Sequence, residues 1–408
     1  MAGVFDRLVG QEHVEAELTA AATAARGGDA GSRMTHSWLF TGPPGSGRSV
    51  AAVCFAAALQ CTSEGVPGCG ECQACTTTMA GTHGDVRRVV PEGLSISVSE
   101  MRGIVQTASR RPSTGRWQVV VVEDADRLTE GAANALLKVV EEPPERTVFL
   151  LCAPSVDPQD ISVTLRSRCR HIPLVTPSVD AIAQVLRERD HLDAETSDWA
   201  ASICGGHVGR ARRLARDEDA RSRRKRALAL AGAALRPGTA YAAAEELVQS
   251  AELEARELTA ERDERETEEM RTALGAGGTG KGAAGALRGS AGVLKELERR
   301  QKSRATRTGR DSLDRALMDL AGLYRDALAY SFGSSATPNH PDMAEQAADL
   351  AGRTSREGLL RCIEAILDCR EALDQNVKPK FAADALVAAW APSSGRTSPI
   401  CIWAGGTG

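Results

Sequence analysis

The residues best suited to binding a ligand form a glycine-rich loop near the start of the chain. Gly42-Pro43-Pro44-Gly45-Ser46-Gly47-Arg48-Ser49 has the spacing G-x-x-x-x-G-[K/R]-S and lies between two apolar stretches. Glycines let backbone N–H groups curl around a phosphate, and the N-terminus of a following helix adds favourable partial charge. Ser49 would offer its hydroxyl to Mg²⁺. The pattern predicts a nucleotide-binding loop; the alternative interpretation is a glycine-rich turn without a ligand.

Two features depart from the pattern of an ATP-hydrolysing site. Arg48 stands where the motif has Lys, and a planar guanidinium cannot fill the slot of a compact ammonium between the β- and γ-phosphates. Four valines lead into Glu123-Asp124-Ala125-Asp126, where an Asp for Mg²⁺ should precede a Glu that orients water. The reversed order shortens the base by one methylene, and such a displacement costs on the order of a hundredfold in rate. The sequence predicts nucleotide binding with doubtful turnover; a solvated acidic strand end is the alternative.

Four cysteines follow the loop within fifteen positions. Cys61, Cys69, Cys72 and Cys75 lie among glycines and a proline, in a spacing typical of a closed, tetrahedral Zn²⁺ site. Such a site leaves no open coordination position, so the zinc would be structural. The alternative is four reduced free thiols. The other seven cysteines are scattered, and most are expected to be packing residues.

An arginine further along could act on a neighbouring protein. Arg168 lies between a buried run and another strand-like stretch, and phosphoryl transfer often needs an arginine supplied in trans. By composition alone Arg166, Arg168 and Arg170 form a solvated basic edge. The residues themselves leave both interpretations open.

These residues must be positioned by an α/β layer. Ser37–Thr41, Trp117–Val122 and Thr147–Cys152 are continuous apolar runs, typical of strands buried on both faces of a parallel sheet. Thr129–Val140 has apolar residues at helical spacing and ends before Pro143-Pro144. This strand–helix–strand order predicts a doubly wound α/β fold.

After Pro177 the pattern predicts helices only. Residues 262–310 are charge-dense and weakly apolar, with a glycine-rich interruption at Gly275–Gly282. We expect a mobile insertion there; two exposed helices flanking a glycine linker are the alternative. A last helix, Phe381–Trp390, precedes a tail rich in serine, glycine and proline.

Composition limits the class of protein. The 408 residues are 42% hydrophobic and 25% charged, as in a globular chain with a sizeable core. A net charge of −4 excludes a simple polycation, and only 3% aromatic residues argue against a single-strand binder that stacks bases. We find neither an apolar run of membrane-spanning length nor a signal segment, so we expect a cytoplasmic protein with no membrane partner.

Several motifs together resemble a known family. Asn134-Ala135-Leu136-Leu137-Lys138-Val139-Val140-Glu141-Glu142-Pro143-Pro144, followed by Ser167-Arg168-Cys169, is similar to bacterial clamp-loader subunits of the AAA+ class. The inserted cysteine module, Phe5-x-x-Leu8-Val9-Gly10-Gln11 and His36-Ser37-Trp38-Leu39-Phe40 fit the same pattern. The resemblance is specific over residues 1–215 and weaker beyond, where Asn376-x-Lys378-Pro379-Lys380 is similar to the end of the family's helical collar.

The resemblance implies an architecture. The chain would begin with an AAA+ P-loop α/β domain (1–176, with a zinc module at 61–75) and a small helical lid (177–218). An all-α collar (219–390), interrupted by a flexible charged insertion at about 262–310, and a tail (391–408) would follow.

The resemblance also implies a role. Motor subunits of the gamma/tau type are expected to keep the loop lysine and an intact acidic pair, so Arg48 and Glu123-Asp124 favour the stationary delta-prime type. Arg168 would then complete a neighbouring ATP site, the four cysteines would hold zinc, and Arg210 or Arg212 would lie near the nucleotide-sensing position of the lid. Implied partners are gamma/tau and delta subunits in a hetero-pentameric ring, the sliding clamp, and primed DNA through its backbone. A motor subunit with its own ATP and Mg²⁺, or a pure scaffold with an inert Arg168, are the rival interpretations.

Overall fold

The computed structural model describes residues 3–27, 34–234, 237–274 and 283–390. They form two compact units: the described residues up to Ala220 together with Thr259–Arg307, and Arg221–Leu258 together with the chain from Thr308. The predicted linker Gly275–Gly282 and the tail 391–408 lie outside the described residues. No helix in the described part is long and apolar enough to cross a membrane.

A five-stranded, all-parallel sheet is the centre of the first unit. Its strands are β1 (Ser37–Thr41), β2 (Val86–Val89), β3 (Gln118–Val122), β4 (Thr147–Ala153) and β5 (Arg170–Pro173). They lie in the order β2-β3-β4-β1-β5. Every residue of β1, β3 and β4 is buried, as their continuous apolar sequence predicts for inner strands. The predicted α/β class is confirmed.

Helices cover both faces of this sheet and complete the unit. One face of the sheet packs against the first three helices of the unit, and the other face packs against its fourth and fifth helices. Each face therefore has its own apolar core. Three short helices then form a smaller core of their own. The helices are α1 (Glu12–Gly27), α2 (Arg48–Gln60), α3 (Gln73–Met79), α4 (Val98–Ala108), α5 (Glu130–Glu141), α6 (Val163–Arg166), α7 (Val179–Glu188), α8 (Ala194–Ile203) and α9 (Val208–Arg216).

The rest of the described chain is helical. Its elements are α10 (Glu218–Ala234), α11 (Pro237–Ala273), α12 (Ala283–Ser331), α13 (Ala344–Arg353), α14 (Arg356–Asp374) and α15 (Pro379–Trp390). One apolar cluster, built from these helices, forms the core of the second unit. Residues 262–273 and 283–310 are helical, which corresponds to the second of the two alternatives for this stretch, helices on either side of a glycine linker.

A buried carboxylate fixes the loop that leads into β3. Asp85 accepts hydrogen bonds from the N–H groups of Ser113, Thr114 and Gly115 at 2.6–2.8 Å, and from two hydroxyls of the same loop. Burial alone would raise its pKa, but these donors outweigh burial and hold the pKa of Asp85 well below its usual range.

We therefore expect Asp85→Asn to lower the free energy of unfolding by about 3 kcal/mol, because an amide cannot accept from all five donors. Since the folded pKa is depressed, the wild-type advantage should be complete at neutral pH and disappear as the pH falls below about 4. Urea unfolding of both chains at several pH values measures this. Asp193→Asn is the control, because asparagine also caps α8. An equal loss in both variants, or no pH dependence, would contradict the prediction.

Candidate nucleotide site and metal centre

The sheet order brings the glycine-rich loop and the acidic motif to the same edge. β4 pairs with β1 on one side and with β3 on the other, so the loop after β1 and Glu123 after β3 flank the end of β4. Parallel strands lie about 4.8 Å apart, which sets the two motifs roughly 10 Å from each other. Burial raises the pKa of the Cys152 thiol at this end of β4, and the charges of Arg48, Glu123 and Asp124 all act on it.

The loop has the geometry of an anion cradle. Gly45 and Gly47 have φ of 89° and 94°, a region that glycine adopts without strain, and a Cβ at Gly45 would lie 2.7 Å from Cα of His207. The hydroxyl of Ser46 is buried and has no hydrogen-bond partner among the described residues. A buried polar atom without a partner in a glycine loop fits a bound phosphate.

Arg48 binds the loop itself. Its Nη1 donates to the carbonyl oxygen of Gly42 at 2.8 Å. The guanidinium thus closes the ends of the loop on each other, whereas a motif lysine would extend to the phosphates.

Arginines already hold both acidic side chains of the motif. Glu123 accepts from Arg88 at 2.6 and 2.8 Å, and Asp124 forms an ion pair with Arg307. Burial, together with the neighbouring charge of Asp124, raises the pKa of Asp126 to about 6. Arg88, Arg307 and Asp126 are not among the site residues that the sequence pattern predicts. Of these, only Asp126 carried a local signal, its place in the acidic run.

A cavity of about 410 Å³ opens beside the loop. Valines and arginines from the chain start, α2 and the helices α7 and α9 line most of it, which suits a flat, partly apolar group next to an anion. Arg212, not Arg210, is among its lining residues, and Nε of Arg212 also donates to Asp190 at 2.7 Å. The lining residues are Arg7, Val9, Ser49, Val50, Val53, Met79, Arg88, Val185, Arg189, Val208 and Arg212.

Arg168 lies on the surface, outside this site. It follows the short helix α6, pairs with Glu141 at 2.5 Å and donates to the carbonyl of Thr164 at 3.0 Å. Both charged side chains are more than one third exposed, so the pair contributes little to stability and is readily exchanged for another anion.

The four clustered cysteines converge. The sulfur atoms of Cys61, Cys69, Cys72 and Cys75 all lie within 4.8 Å of one another. Those of Cys61 and Cys72 are 3.9 Å apart, close to the separation of about 3.8 Å that Zn–S bonds of ~2.3 Å give in a tetrahedron. The N–H groups of Cys72 and Cys75 point at the sulfurs of Cys69 and Cys72. The donor set fits a metal ion that prefers thiolates.

The environment of the cluster favours thiolates. Burial alone would raise the pKa of Cys72, but donors from Thr62 and Cys75 outweigh it and lower the pKa to about 5. The pKa of Cys61 is lowered too, by backbone donors that outweigh burial. Burial raises the pKa of Cys75, so this thiol would ionise on binding a cation rather than before it.

Comparisons with known proteins find relatives of the part of the chain that carries the parallel sheet. The protein-family model "DNA polymerase III, delta subunit" matches residues 26–178. The chain is 35% identical over 171 residues to DNA polymerase III subunit gamma/tau of Mycobacterium tuberculosis, which covers 41% of this chain and 28% of that one. It is also 35% identical over 186 residues to subunit delta' of Pseudomonas aeruginosa, covering 44% and 55%. Over this segment the chain is therefore similar to DNA polymerase III subunits of both kinds.

The clamp-loader match is to part of each relative. The chain spans 28% of the length of the mycobacterial gamma/tau subunits and about half of the delta' subunits. Both kinds of clamp-loader subunit match at similar identity. A solved structure of a gamma subunit-related protein from Thermotoga maritima aligns over 92% of this chain and 98% of its own, at 15% identity and a TM-score of 0.41.

The cysteine cluster predicts that the purified chain carries one tightly bound thiophilic metal ion. We expect about one equivalent by elemental analysis, and a large loss in Cys72→Ser, because three thiolates leave a position of the tetrahedron open. Cys362→Ser changes a cysteine of the second unit that is only partly buried and should keep the full content. Equal metal content in both variants, or a near-zero content in the parent chain, would refute the site.

Proposed function

We propose that this chain is the delta-prime subunit of a DNA polymerase III clamp loader, a stationary AAA+ subunit that helps to load a sliding clamp onto primed DNA. The observation that supports it best is the state of the nucleotide site. Arg48 turns back onto the loop, and arginines engage both Glu123 and Asp124. A subunit whose own site is built this way binds nucleotide without turning it over, and contributes to turnover elsewhere.

The contribution elsewhere would come from Arg168. The guanidinium is exposed and its carboxylate partner Glu141 is exposed as well, so an incoming γ-phosphate could replace that carboxylate at little cost. An arginine that reaches a phosphoryl group across an interface stabilises the charge of the transition state. In this proposal Arg168 completes the ATP site of a neighbouring gamma/tau subunit.

The remaining features support the same proposal. The cysteine cluster would hold a structural zinc ion, since four thiolates leave no open position for catalysis. The cavity beside the loop would accept the base of ATP, and Arg212, with Arg210 nearby on α9, would respond to the phosphates. The helices of the second unit would form the collar that assembles with gamma/tau and delta in a ring of five. DNA contacts would go to phosphates and weaken with salt.

The motor alternative can be separated by assaying the isolated chain. We expect ATP binding but no steady hydrolysis above background, because the acidic order and Arg48 displace the groups that activate water. The phosphate that the full chain releases from ATP over hours, with and without Mg²⁺, measures this hydrolysis. Steady turnover that disappears on changing Arg48 or Glu123 would show a motor and contradict the stationary role.

The trans arginine is tested in the reconstituted complex with gamma/tau, delta and the clamp. Arg168→Ala should lower turnover at the ATP site it completes by roughly 10³-fold or more, and slow clamp loading, with assembly unchanged. Arg166→Ala removes an exposed arginine from the same segment and is the matched control. Subunit stoichiometry by gel filtration is measured in parallel.

The outcomes separate the proposals. If both variants load clamps and hydrolyse ATP as the parent does, the subunit is a scaffold and Arg168 is inert. If Arg166→Ala fails as Arg168→Ala does, the effect belongs to the segment as a whole and not to a single guanidinium.

A further inference from the structure

A pair of helical segments contacts the acidic edge of the sheet. We call it the arm: residues 259–273 of α11 and 292–307 of α12, both part of the first unit. Its α12 segment carries Arg300, Arg304 and Arg307 at positions i, i+4 and i+7, which places all three on one helical face.

The arm is held together by its own ion pairs. Arg304 is largely buried and bonds Asp263 at 2.6 Å and Glu266 at 2.5 Å across the two segments. The side-chain amide of Gln301 donates to the carbonyl oxygen of Asp263 at 2.9 Å. The two segments therefore act as one body, which presents the arginine face as a unit.

Glu92 is the first anchor of the arm on the sheet. It lies in the loop after β2, and both its carboxylate oxygens accept from Arg300 at 2.8 Å. Arg262 and Arg304 lie 3.6 and 3.8 Å from the same carboxylate. Three arginines from the two segments thus surround one carboxylate. The bidentate contact of Arg300 fixes the geometry of the pair as well as balancing its charge.

Arg307 is the second anchor and reaches the nucleotide site. One terminal nitrogen donates to the carbonyl oxygen of Pro91 and the other pairs with a carboxylate oxygen of Asp124. Its side chain is only 15% exposed. A guanidinium this enclosed is a component of the site rather than a solvated surface charge.

We propose that the arm is an intramolecular latch, in which Arg307 holds Asp124 in an ion pair that must open before Asp124 can serve a Mg²⁺-bound nucleotide. The guanidinium of Arg307 neutralises charge on the Asp124 carboxylate that would otherwise attract a metal ion or orient metal-bound water. Docking of the arm and binding of Mg²⁺·nucleotide therefore oppose each other, and the opposition is reciprocal. The nucleotide part of this inference rests on the proposed function; the latch contact does not.

Hydrogen exchange of the full chain tests the latch without nucleotide. Arg307→Ala should speed exchange in residues 292–307 and 91–96 at least several-fold, because the second anchor is lost. Arg299→Ala is the matched control: Arg299 lies on the same helix, is three quarters exposed and pairs locally with Glu296. Unchanged exchange in Arg307→Ala, or the same change in both variants, overturns the latch.

Affinity for Mg²⁺·ATP, measured by titration, tests the coupling. Arg307→Ala should tighten binding by 5- to 150-fold, the ordinary range for coupled sites, and the gain should disappear in EDTA or when Asp124→Asn is added. Mg²⁺·ATP should also speed exchange of the arm in the parent chain. Equal affinities of the parent and Arg307→Ala overturn the coupling. If no variant binds ATP, the nucleotide part of the proposed function fails, and the exchange experiment still decides whether Arg307 latches the arm.

Discussion

Everything at the candidate nucleotide site depends on the position of β4 between β1 and β3. A parallel sheet ends all its strands at one edge, so a loop after β1 and an acidic turn after β3 must flank the end of β4. The pairing of Thr41 with Ala153 and of Val122 with Leu151 fixes where along β4 the glycine-rich loop and the acidic turn begin, as well as the distance between them. Because the three strands are wholly buried, the site cannot shift without disturbing both cores.

On this rigid frame, arginines determine what the carboxylates can do. Arg88 and Arg307, which lie far apart in the sequence, engage Glu123 and Asp124, while burial and the charge of Asp124 raise the pKa of Asp126. The charges of Glu123 and Asp124 are thus balanced within the first unit. Divalent ions would have to compete with guanidinium groups, a competition that an ordinary hydrolytic site does not impose.

Local sequence patterns predict most of the fold of the first unit and part of the candidate site. The glycine loop, the apolar strands and the four converging cysteines follow from spacing and residue type, and the structure has them where the pattern predicts. β2 was not predicted, because Val86-Arg87-Arg88-Val89 is a short edge strand whose middle residues face solvent. The contact of Arg307 with Asp124 spans 183 positions, and no local pattern encodes a pair so far apart. The family resemblance left Arg210 and Arg212 as alternatives, and of the two it is Arg212 that lines the cavity, because of its place on the turn of α9.

The close approach of Gly45 to His207 has a mechanical consequence. The ring of His207 caps α9 by accepting from the N–H of Arg210, so this one histidine touches the phosphate loop and begins the helix that carries Arg210 and Arg212. With no Cβ at Gly45, loop and helix start meet almost backbone to backbone. Any displacement of the glycine-rich loop would therefore press directly on His207, and through it on the first turn of α9.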